Sequence, residues 1–84
     1  MPKYIDYHAK APQMSPELMK EAQKAMKSGK PDQFGVKAIN GFMSKAGSSW
    51  CLTEAPNADA VCKSHESKGM KIGKGDVHEV QSMV

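Results

Sequence analysis

Apolar and polar residues alternate through "KYIDYHA", residues 3–9, which sets Tyr4, Asp6 and His8 against Ile5 and Tyr7. A period of two predicts a β-strand, because successive side chains point to opposite faces of a sheet. The period then lengthens. In "MSPELMKEAQKAMKSG", residues 14–29, Leu18, Ala22, Ala25 and Met26 fall on one face at helical spacing. Ser15 is placed to cap that helix, with Pro16 at its first position and Gly29 at its end. Met14 and Met19 have the spacing of a hydrophobic staple, and the methionines of this segment read as core filler.

Breakers in "KPDQFG", residues 30–35, mark a connection. "VKAINGFMS" (36–44) and "SWCLTEA" (49–55) then predict two strands joined by a turn around "KAGS". Asn57 begins a second helix, whose stripe carries Ala58, Val61, Cys62 and His65 and whose end is Gly69. Met70, just past the glycine, is placed to close on the last turn. "DVHEVQSM" (76–83) alternates again as a final strand. The order strand, helix, strand, strand, helix, strand predicts one α+β domain over residues 1–84. It is a ferredoxin-like βαββαβ fold, an antiparallel sheet of four strands with both helices on one face. The name describes shape alone, since the cysteines for an iron–sulfur cluster are missing.

Chain length adds a constraint. With 84 residues, a lone domain hides about 60% of its unfolded surface, so covering the open sheet face with a second copy would add stability. Several strands carry apolar residues on both sides, the pattern of a sheet buried on both faces. A homodimer is the expectation. Hydrophobic residues make up 39% and charged residues 25%, within the globular range. "MPKYIDYHAK" has no apolar run like that of a signal peptide, and no segment has the length of a membrane span, so the expected compartment is the cytoplasm.

The net charge of +3 comes entirely from lysine among the basic residues, scattered from Lys3 to Lys74. Arginine forks onto guanine edges and phosphates, and its absence argues against a specific nucleic-acid reader. Two cysteines are too few for a disulfide framework, so Cys51 and Cys62 read as free thiols packed in the core.

The candidate chemistry lies with the three histidines. Asp6 and His8 are two apart on a strand, hence on one face and about 6–7 Å apart at the backbone. His78 sits on the strand that pairs with the first in this fold, so Asp6, His8 and His78 converge if the register allows. Cys62 and His65 form a second pair at i, i+3 on a helix. Imidazole suits nickel, zinc and copper, and carboxylates complete such shells. A Cys–His nucleophile is awkward when both residues ride one rigid helix.

The run "WCLTEAPNADAVCKSHESKG", residues 50–69, resembles a small bacterial and archaeal family of unknown function that has been linked to nickel binding. The matching positions are Trp50, Cys51, Glu54, Ala55, Pro56, Asn57, Ala58, Asp59, Ala60, Val61, His65 and Gly69, and "DVHEV" is similar to the family's last strand. The resemblance implies a ferredoxin-like dimer and directs the metal reading toward nickel. Three readings stay open. One is a cytoplasmic homodimer that binds a divalent transition metal, nickel above all, through histidines at the surface, for sequestration or metal response. The others are a small monooxygenase-type enzyme, for which Tyr4, Tyr7, Trp50 and two phenylalanines are a sparse lining, and an interaction module without a ligand.

Overall fold

The computed structural model describes residues 1–10, 15–81 and 83. Its elements follow in the expected order: β1 (Lys3–His8), α1 (Pro16–Ser28), β2 (Lys37–Met43), β3 (Ser49–Glu54), α2 (Ala58–Ser67) and β4 (Val77–Val80). A single 3-10 turn, Lys74–Asp76, leads into β4. The sheet is antiparallel, in the order β2-β3-β1-β4. This is the ferredoxin-like arrangement that the periodicity predicted. No helix among the described residues is long and apolar enough to cross a membrane.

Local chemistry sets most of the boundaries. The Ser15 hydroxyl accepts from the Leu18 amide and Gly29 ends α1 at φ 66°, a left-handed conformation that costs glycine little. Asn57 accepts from the Ala60 amide at 2.8 Å and opens α2. At the other end the Met70 amide returns to the His65 carbonyl at 2.9 Å. The proposed staple involves Met14, which lies outside the described residues. Asp32 closes the connection into β2, accepting from the amides of Phe34 and Val36 and from the Ser64 hydroxyl.

The two helices are not equivalent. The core is Tyr4, Val36, Ala55, Ala60, Val61 and Val77, with Phe34, Ala58, Cys62 and Ile72 packed against it. It therefore gathers under α2. α1 has no buried residue: Met19, Ala22 and Met26 are half-buried, and Leu18 is 52% exposed. Core filler is thus too strong a description for this helix, which rests its stripe on edge strand β2. β4 is also shorter than the alternating segment. Val80 pairs with Lys3 at the start of β1, and the preceding Pro2 has no amide to extend the ladder.

Register assigns the faces. Tyr4, Asp6 and His8 face the helices, opposite Thr53, Cys51 and Ser49 of β3. Ile5 and Tyr7 face away, opposite Leu52 and Trp50, and Phe42 of β2 continues that row from Trp50. The rings of Tyr7 and Trp50 lie 5.3 Å apart on this uncovered face.

Candidate metal centre

Asp6 is the centre of the candidate site. Its carboxylate is wholly buried, on the middle of an interior strand, beneath α2. Alternation along β1 brings His8 to the same face, and the β1–β3 register puts Cys51 directly across from Asp6. His65 comes from the inward stripe of α2, beside Val61 and Ser64. One oxygen, Asp6 Oδ2, lies 2.6 Å from His8 Nε2 and 3.1 Å from His65 Nε2. The Cys51 sulfur is 3.9 Å from His8 Nε2. One ligand atom from each of the four residues falls within 4.8 Å of every other. Such atoms can share one ion at about 2.0–2.3 Å from each.

Distance alone does not make these contacts hydrogen bonds. Both Asp6 oxygens are buried without an aligned hydrogen-bond partner among the described residues. A buried carboxylate needs its charge offset, and a cation held between it and the two imidazole nitrogens would do so. His65 is held ready for that role. Its Nδ1 donates to the Val61 carbonyl at 2.8 Å, which leaves Nε2 turned toward Asp6. A hydrogen bond of this kind on the far ring nitrogen fixes the tautomer of metal-ligating histidines. The donors also balance in charge: a carboxylate, a thiolate and two neutral imidazoles offset a divalent cation.

Without an ion, a proton on His65 takes its place. Burial disfavours a charged His65 ring, but the Asp6 carboxylate, the Cys51 sulfur and the Val61 carbonyl outweigh it and push the pKa up to about 10. The cluster is not laid out as a nucleophile relay. A Cys–His–Asp relay uses opposite nitrogens of the ring, one for the nucleophile and one for the orienting carboxylate. Here His8 Nε2 faces both Asp6 and Cys51.

Of the sequence-derived candidates, the structure brings together Asp6, His8 and His65. His78 pairs with Ile5 and therefore points to the opposite face of the sheet, away from Asp6 and His8. Cys62 is half-buried against the hydrophobic core and is not a member of the cluster. Burial, then the nearby Asp59, push its thiol above the ordinary range. Cys51 was the residue missed. The sequence pattern points to a core thiol there, and the cue that places it in the cluster is the register opposite Asp6, which the sequence does not contain. The expectation of histidines at the surface is also corrected: His8 is 9% and His65 6% exposed.

No family model matches this chain, and no curated protein matches it. The chain is similar in structure to SCO4226 of Streptomyces coelicolor A3(2), with a TM-score of 0.71. The similarity covers 98% of this chain and 99% of that one, at 24% sequence identity. At that identity the likeness establishes a shared ferredoxin-like fold.

Proposed function

We propose that this protein binds a divalent transition metal ion through Asp6, His8, Cys51 and His65, and that it serves to sequester or report that ion. The observation that carries the reading is the wholly buried Asp6 carboxylate, with two imidazole nitrogens within 3.1 Å of one oxygen and the Cys51 sulfur in the same cluster. The mixed N, O and S donor set suits nickel, zinc and copper and disfavours magnesium and calcium. Nickel is the ion we favour among these, because of the resemblance of residues 50–69 to a family linked to nickel. The working unit in this reading is a homodimer. Its support is the aromatic row on the uncovered sheet face, where Tyr7 is 39% and Phe42 50% exposed.

Titration calorimetry with nickel, zinc and copper, together with elemental analysis after gel filtration, tests the proposal. The expected result is one ion per chain, with uptake abolished in Asp6→Asn. Equal uptake by the wild type and this variant would overturn the assignment.

A further inference from the structure

We propose that a hydroperoxide releases the ion from this centre by oxidising Cys51, so that the site holds metal only while its thiol is reduced. The inference rests on the metal reading above and concerns its regulation. It is carried by the unequal burial of the four donors. Asp6 is inaccessible and His65 is 6% exposed, whereas Cys51, the oxidisable donor of the four, is half-buried. Its neighbour across β2 is Gly41, which has no side chain to cover the sulfur. Above Gly41 the helix layer supplies the methyl end of Met26, 3.7 Å from where a Gly41 Cβ would stand. Met26 belongs to α1, the helix with no buried residue. A small oxidant that passes this thin cover meets a thiol beside donors that it cannot oxidise.

The reaction is a two-electron transfer. The Cys51 sulfur attacks one peroxide oxygen, the O–O bond breaks, and the departing hydroxide or alkoxide takes a proton from water. The sulfur is oxidised to a sulfenic acid and the peroxide is reduced. This removes one of the two negative charges that offset the cation and adds an oxygen atom where donors already lie within 4.8 Å. A divalent ion facing Asp6 alone is left with uncompensated buried charge, and it leaves. A small thiol reverses the change: it condenses with the sulfenic acid, expelling water, and a second thiol frees Cys51 from the mixed disulfide. Cys62 is the internal control, since its thiol is packed against the core and held in the unreactive protonated form.

The test uses zinc, which has no redox chemistry of its own. Full-length Cys62→Ser protein is loaded with Zn2+ and freed of excess ion. Hydrogen peroxide is then added beside a chromogenic chelator. Release should accelerate by about tenfold or more, in step with dimedone-trapped sulfenic acid on the Cys51 peptide, and dithiothreitol should restore uptake. Cys51 oxidised with Zn2+ retained, or Zn2+ released with Cys51 unmodified, would overturn the inference while leaving the metal centre standing. A chain that takes up no Zn2+ before peroxide is added removes both.

Discussion

Asp6 and Cys51 are antiparallel partners on adjacent central strands, and both face α2. Their pairing puts a carboxylate and a thiol on neighbouring positions of one interior face, a placement a hydrophobic core does not need. With His8 two residues along β1 and His65 overhead, it turns a packing position into a set of ligands.

Each member of that set should matter to metal affinity, and each excluded candidate should not. Disturbing partners outside the coordination shell already costs about 10–100-fold in affinity, so His65→Ala or His8→Ala should cost at least that much. His78→Ala and Cys62→Ser should leave affinity unchanged, because His78 is on the other face and Cys62 packs against the core outside the cluster. Calorimetry across the four variants separates this centre from a site shared by His8 and His78.

His65 makes the metal-free protein sensitive to alkali. Its folded-state pKa, about 10, lies above the ordinary value of 6.5. The stabilisation from the charged ring is therefore complete below pH 6.5 and is lost as pH rises toward 10. Urea unfolding in the presence of a chelator should show the midpoint falling across that window, and the fall should vanish in His65→Gln. Metal uptake runs the other way. The ion must displace the His65 proton, so affinity should rise with pH over the same range.

Asp32 gives the acid limb. Burial raises its pKa, but the Ser64 hydroxyl, the Val36 and Phe34 amides and the charge of Lys68 together hold it below its ordinary value of 3.8. Its contribution is present above pH 3.8 and is lost as pH falls through the lowered folded value. Asp32→Ala removes three hydrogen bonds and strands the buried Ser64 hydroxyl, and should cost about 2 kcal/mol or more in urea unfolding at neutral pH. Metal affinity in this variant should survive, since Asp32 touches none of the four ligands.

The open sheet face should mediate self-association. Sedimentation equilibrium at micromolar concentration is expected to give twice the 9.1 kDa chain mass. Phe42→Glu, placed in the row with Trp50 and Tyr7, should shift the species to monomer without loss of metal binding. A monomeric wild type would remove the dimer and leave the metal centre untouched, since all four ligands come from one chain.

The order of elements and their caps was legible in the sequence because it depends on neighbours in the chain. Alternation in "KYIDYHA", Ser15 and Asn57 at helix starts, and Gly29 and Gly69 at helix ends are properties of a few consecutive residues. The same local rule put Asp6 and His8 on one face. Three things were decided by tertiary structure. Strand register set Cys51 opposite Asp6 and His78 opposite Ile5, and a slip of one residue would exchange their faces. Helix placement brought His65, and not Cys62, over the carboxylate, because a helix buries only the stripe that meets the sheet. The depth of α1 was also beyond the sequence. Its apolar spacing matches that of a core helix, yet docking against an edge strand leaves it half exposed. Periodicity fixes which side chains share a face, but which faces meet depends on contacts between residues far apart in the chain.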